Sequence, residues 1–140
     1  MERKTKIVIA DDHAMLRAGL KILLQSRADY EVVGEAADGR QAVALFEQLR
    51  PDILILDISL PLLDGVEVLK ILKASFPQAR VIVLTMHEEE DYIKTVMAAG
   101  ASGYIPKTAV DDELFSALEI VSRGCIYLSQ QEAKALAGKA

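Results

Sequence analysis

Pro51-Asp52-Ile53-Leu54-Ile55-Leu56-Asp57 is the stretch on which the fold turns. Its apolar residues run consecutively, from Ile53 to Leu56, so no face of the segment is suited to water. A strand of that kind belongs in the middle of a parallel sheet, with helices covering both faces. Pro51 ends the preceding helical pattern, because the residue before a proline is pushed out of helical geometry. Asp57 closes the run with a charge.

Upstream, Ala42, Val43, Leu45, Phe46 and Leu49 recur at helical spacing after the turn signal Asp38-Gly39. Glu31 to Ala37 reads as a more polar strand, suited to a sheet edge. Met15, Leu16, Gly19, Leu20, Leu23 and Leu24 predict another helix. Before it, Lys6 to Ala10 is a buried β-branched strand that breaks at Asp11-Asp12-His13. Downstream, Gly65 to Ser75 is helical and Arg80 to Leu84 is a fourth strand ending at Thr85. A weaker helix spans Glu89 to Ala99 and is stopped by Gly100. Ser102 to Ile105 is a short fifth strand ending at Pro106-Lys107. Val110 to Ser122 is a helix whose acidic first turn suits the helix dipole.

Alternating strands and helices of this number predict an α/β fold with a five-stranded parallel sheet and right-handed crossovers. The expected division is a domain over 1–124, closed by Gly124, and a linker or tail over 125–140. Within that tail Ser129 is suited to cap a helical stretch from Gln130 to Ala137.

Composition narrows the function classes. Of 140 residues, 51% are hydrophobic and 26% charged, which is globular rather than disordered composition. The formal net charge of −5, with no basic patch, argues against nucleic-acid binding by these residues themselves. Cys125 is the single cysteine, so no internal disulfide is available, and it reads as a small packing residue in a reducing compartment. With His13 and His87 it makes no zinc pattern. No apolar run reaches membrane-spanning length, and Met1 to Lys6 holds no signal-peptide core. A cytoplasmic location with no membrane partner is the expectation.

In an open parallel sheet, ligands bind beyond the carboxyl ends of the strands. Those ends carry Asp11-Asp12, Asp57, Thr85 and Lys107. Clustered carboxylates raise one another's pKa, and a hard divalent cation relieves the repulsion. A carboxylate can attack phosphorus, while an ammonium and a hydroxyl neutralise the phosphoryl oxygens. Asp38 and Asp52 read instead as ordinary cap or turn residues.

From residue 5 to 124 the sequence resembles the receiver domain of bacterial two-component response regulators. The motifs are Asp11-Asp12, Asp57-Ile58-Ser59-Leu60-Pro61 with Asp64-Gly65, Thr85, and Gly103-Tyr104-Ile105-Pro106-Lys107. The resemblance implies a flavodoxin-like (CheY-like) doubly wound sheet of order 2-1-3-4-5. It implies Asp57 as phosphoacceptor from a sensor histidine kinase. It implies Mg²⁺ (or Mn²⁺) held by Asp12, Asp57 and the Ser59 carbonyl, with Asp11 acting through water. Lys107 would pair with Asp57 and then with the phosphoryl oxygen. Thr85 and Tyr104 would form the conformational switch, and Ser59 and His87 would tune dephosphorylation. Catalysis would be limited to self-phosphorylation and autodephosphorylation.

Ile7 to His13, Leu16 to Leu20, Gly100 to Tyr104, and Val121 to Gly124 followed by Tyr127-Leu128-Ser129 resemble the NarL/FixJ (LuxR-type) branch. That branch implies a phosphorylation-modulated homodimer and a C-terminal DNA-binding helix-turn-helix domain outside these residues. Thr108, not Pro, follows Lys107, so the isomer of that bond is open. The competing readings are a stand-alone receiver, a phosphorylation-independent interaction module and a haloacid dehalogenase-type phosphatase. The phosphatase would carry an acid two residues after its nucleophile, where this chain has Ser59.

Overall fold

All of β3 (Ile53–Asp57) is buried, as its unbroken apolar run requires. A computed structural model describes residues 3–86 and 90–128. Around β3 lie β1 (Thr5–Ala10), α1 (Ala14–Gln25), β2 (Tyr30–Ala36) and α2 (Gly39–Leu49) on the N-terminal side. After it come α3 (Gly65–Ser75), β4 (Val81–Thr85), α4 (Glu90–Ala98), β5 (Gly103–Pro106), α5 (Val110–Ser122) and β6 (Tyr127–Leu128). A single 3₁₀ turn, Lys107–Ala109, joins β5 to α5.

The sheet is parallel throughout, in the order β2-β1-β3-β4-β5-β6. Side chains alternate across it with the two-residue period of a strand. Val8, Ala10, Leu54, Leu56, Val81, Val83 and Tyr104 join one core with residues of α2, α3 and α4. Ile7, Ile9, Ile53, Ile55, Ile82, Leu84 and Ile105 join the other, with residues of α1 and α5. Covering both faces explains why β1, β3, β4 and β5 read as apolar runs rather than alternating ones.

Asp38 and Asp64 accept hydrogen bonds from Gln41 N and Glu67 N, capping α2 and α3. Each cap satisfies an N–H that the first helical turn leaves open. At Gly65 an added Cβ would lie 2.6 Å from Ile58 Cα, so only glycine lets α3 start this close to the end of β3.

The sheet has six strands where five were expected. Gly124, at φ 87°, ends α5 with bonds from Gly124 N to Val121 O and Cys125 N to Ile120 O. The chain then turns back, Tyr127 N donates to Ser102 O at 2.9 Å, and Tyr127 and Leu128 pair with Gly103 and Tyr104. The Tyr127 hydroxyl bonds to Glu113 of α5. Two residues are too few for a strand periodicity to register in sequence. Cys125 is exposed, against the expectation that it packs, because it lies in this turn between α5 and β6. Among the described residues no peptide bond is cis, so Lys107–Thr108 is trans. No helix among them is long and apolar enough to cross a membrane. The expected tail helix over 130–137 and the Ser129 cap lie outside the described residues.

Candidate functional site

Among the described residues the buried polar side chains are Asp11, Asp57 and Thr85, and all three stand at the carboxyl edge of the sheet. Asp11 follows β1, while Asp57 and Thr85 are the last residues of β3 and β4. β1 and β3 are paired neighbours, so their ends bring Asp11 and Asp57 together. Lys107 enters from the end of β5 with a side chain only 10% exposed. Its Nζ lies 3.2 Å from Asp11 Oδ2 and 3.1 Å from Asp57 Oδ2.

The other carboxylate oxygens are held by local backbone. Asp57 Oδ1 accepts from Ser59 N at 3.0 Å, and Asp11 Oδ1 accepts from His13 N at 2.8 Å. Arg17 Nη1 donates to the Asp11 carbonyl at 2.6 Å, which ties α1 to the end of β1. Asp11 Oδ2 and Asp57 Oδ2 are buried without a hydrogen-bond partner. The Lys107 contacts answer part of their charge but do not meet hydrogen-bond geometry. Burial pushes the Asp57 carboxyl above the usual carboxylate range. The Asp11 charge adds to that rise, while the Ser59 N–H and Lys107 oppose it. Burial also raises the Tyr92 phenol, and the charges of Asp64 and Asp57 add to the effect.

Oxygen atoms with unanswered negative charge fit a hard divalent cation. One ligand atom from each of Asp11, Asp12, His13 and Asp57 falls within 4.8 Å of the others. The donor set therefore fits Mg²⁺. Asp12 is the open member of the trio of carboxylates, its side chain 37% exposed.

Tyr104 is fully buried in the core beneath α2, α3 and α4, and Thr85 is fully buried one strand away. Ser59 is exposed and meets Asp57 through its backbone N–H. His87 lies outside the described residues, as do Glu88 and Glu89.

His13 is the member of the site that sequence reasoning passed over. Its Nδ1 stands 3.0 Å from Asp11 Oδ1, 3.2 Å from Asp12 Oδ1 and 3.5 Å from Lys107 Nζ. Its adjacency to Asp11-Asp12 was the available signal. Spacing alone did not say whether the ring faced the carboxylates or the solvent.

The family profile described as "Response regulator receiver domain" matches residues 7–119. The chain is 44% identical over 124 residues to oxygen regulatory protein NreC of Staphylococcus carnosus, covering 88% of this chain and 57% of that protein. It is 39% identical over 127 residues to transcriptional regulatory protein DegU of Brevibacillus brevis, covering 91% of this chain and 54% of that protein. The chain thus spans about half the length of these curated relatives. The crystal structure of a LuxR-family two-component response regulator from Aurantimonas sp. SI85-9A1 superposes with TM-score 0.93 at 33% identity, covering 98% of each chain. With the strand-end carboxylates and lysine in place, these likenesses establish that the chain belongs to the response regulator receiver domain family, in its LuxR/NarL branch.

Proposed function

We propose that Asp57 accepts a phosphoryl group from a phosphohistidine on a sensor kinase and that the resulting acyl phosphate switches the domain's surface. The observation that carries this reading is the convergence of buried Asp57, Asp11 and Thr85 with Lys107 at one edge of the sheet.

An Asp57 carboxylate oxygen attacks phosphorus in line with the departing nitrogen. The O–P bond forms, the P–N bond breaks, and the imidazole leaves with the electron pair and takes up a proton. Burial favours this step, because the carboxylate carries its charge in a poorly solvated place before the transfer. Lys107 exchanges its Asp57 contact for a phosphoryl oxygen. The Thr85 hydroxyl donates to another phosphoryl oxygen, and Tyr104 repacks behind it. Asp12, Asp57 and the Ser59 carbonyl would hold Mg²⁺ or Mn²⁺, with Asp11 acting through water. When bound, that ion neutralises charge building on the phosphoryl oxygens. Ser59 and His87 would tune the lifetime of the phosphate. The chemistry is thus self-phosphorylation and autodephosphorylation, not turnover of a separate substrate.

The receiver unit spans 1–124. Residues 125–140 would serve as the linker to a C-terminal helix-turn-helix output in a longer protein, where DNA binding and transcriptional control reside. The name of the DegU relative, a transcriptional regulatory protein, supports that output. A phosphorylation-modulated homodimer in the cytoplasm completes the reading.

Intact-mass measurement after incubation with acetyl phosphate and Mg²⁺ tests the proposal. The expected result is a gain of one phosphoryl group that needs Mg²⁺ and vanishes in Asp57→Ala. A folded protein that gains no mass and binds no beryllofluoride overturns it.

A further inference from the structure

The geometry points to His13 as a nitrogen ligand that gives the strand-end site a preference for octahedral first-row transition ions, such as Co²⁺ and Ni²⁺, over Mg²⁺. The inference rests on the proposed cation site at Asp12 and Asp57 and adds a donor to it.

His13 is the N-cap residue of α1, yet its side chain makes no capping hydrogen bond. The ring instead faces the carboxylates. Its Nδ1 is 3.0 Å from Asp11 Oδ1, 3.2 Å from Asp12 Oδ1 and 4.0 Å from Asp57 Oδ2. In an octahedron with bonds of about 2.1 Å, neighbouring donors lie about 3 Å apart and opposite donors about 4.2 Å apart. The distance to Asp12 Oδ1 is that of two neighbouring donors, and Asp11 Oδ1 stands beside them at hydrogen-bond distance from the ring.

One feature shows that the site calls for a cation, and a second limits how His13 can reach it. Asp11 Oδ2 and Asp57 Oδ2 are buried with no hydrogen bond, and Lys107 alone offsets their charge. The His13 main chain is also fixed, its N–H donating to Asp11 Oδ1 and its carbonyl accepting from Arg17 N. The ring therefore swings only about its own side-chain bonds to reach a metal held by Asp12 and Asp57.

The consequence follows from ligand softness. Mg²⁺ prefers oxygen and keeps several waters, so exchanging one water for imidazole gains it little. Co²⁺ and Ni²⁺ bind imidazole well and stand above the harder Mn²⁺ in affinity order. An all-oxygen site would discriminate less.

Calorimetric titration of the full chain with Mg²⁺, Co²⁺ and Ni²⁺ reads the preference directly. His13→Gln keeps the size and polarity of an exposed side chain. It is expected to weaken Co²⁺ and Ni²⁺ binding by about tenfold or more, the scale of losing one metal-site contact, and to leave Mg²⁺ within about twofold. Asp52→Asn, at the opposite edge of the sheet, is the control and changes none of the three. Equal losses for Mg²⁺ and Ni²⁺, or no loss for either, overturn the inference. A second readout needs no variant. Proton NMR of the Co²⁺-loaded wild-type chain should show strongly shifted carbon-bound ring protons of His13, and their staying at the metal-free positions also overturns the assignment. Phosphorylation by acetyl phosphate is scored separately. A chain that loses Ni²⁺ affinity in His13→Gln but takes no phosphate keeps this inference and loses the phosphoacceptor reading.

Discussion

Asp52 and Asp57 flank the same strand, five residues apart, and meet opposite fates. Asp52 sits just before β3, with 28% of its side chain exposed. Both of its oxygens are satisfied, Oδ1 by Arg3 Nη2 at 2.9 Å and Oδ2 by Lys6 N at 2.7 Å. Asp57 closes β3 with 1% of its side chain exposed and one oxygen that has no hydrogen bond and faces the Lys107 ammonium. A carboxylate whose hydrogen bonds are complete stitches the chain. One that is buried with a lone pair unanswered holds chemical potential for a cation or an electrophile. The difference comes from the ends of a parallel sheet. The carboxyl edge gathers turns from several strands around one crevice, whereas at the amino edge Asp52 is met in full by Arg3 and Lys6 at the start of the neighbouring β1.

The sharpest way to break the comparison is to remove one charge at each end. Asp57→Asn should abolish phosphoryl uptake in the intact-mass assay, while Asp52→Asn should retain it fully.

A steric change tests whether the Asp57 end depends on its close-packed loop. Gly65→Ala forces a Cβ to within 2.6 Å of Ile58 Cα, and should cost about 3 kcal/mol in urea unfolding. Phosphoryl uptake should slow in the same variant, because Ile58 and Ser59 carry the backbone that orients Asp57.

Removing the counter-ion is the next smaller step. Lys107→Ala leaves Asp11 and Asp57 facing each other without an ammonium, and should cost about 2 kcal/mol in metal-free buffer. Adding Asp57→Asn to it should recover part of that loss, and a double-mutant cycle measures the coupling.

The pH dependence sharpens the contrast further. The Asp57 carboxyl is raised above its ordinary 3.8, chiefly by burial. The folded state therefore holds that proton more tightly than the unfolded chain. Asp57's contribution must fall as pH rises from 3.8 through the raised value. In urea midpoints measured without metal, Asp57→Asn should remove that decline. The smallest effect belongs to the other end. Asp52→Asn loses a partly exposed pair with Arg3 and should cost about 0.5 kcal/mol.

Much of this arrangement was legible in residue order. The run Ile53 to Leu56 placed β3 at the centre, because a strand without a polar face needs cover on both sides. Asp11, Asp57, Thr85 and Lys107 could be assigned to one edge, because parallel strands all end on the same side. Asp38 was readable as a cap, because a capping side chain acts on its own helix turn, within reach of the sequence.

Other features needed the third dimension. β6 arises because Gly124 turns the chain back against an open strand edge, and a two-residue pairing has no period of its own. The exposure of Cys125 follows from that same turn. His13 belongs to the site because its ring rotates towards Asp11 and Asp12 rather than away, a choice of side-chain torsion that residue spacing does not encode. The sequence by itself determined the alternation of strands and helices, the edge of the sheet that carries chemistry and the carboxylates, hydroxyl and lysine that stand there, since these depend on hydrophobic period and chain direction. Only the tertiary structure decided which carboxylate oxygens go unanswered, since that depends on distances between residues far apart in the chain.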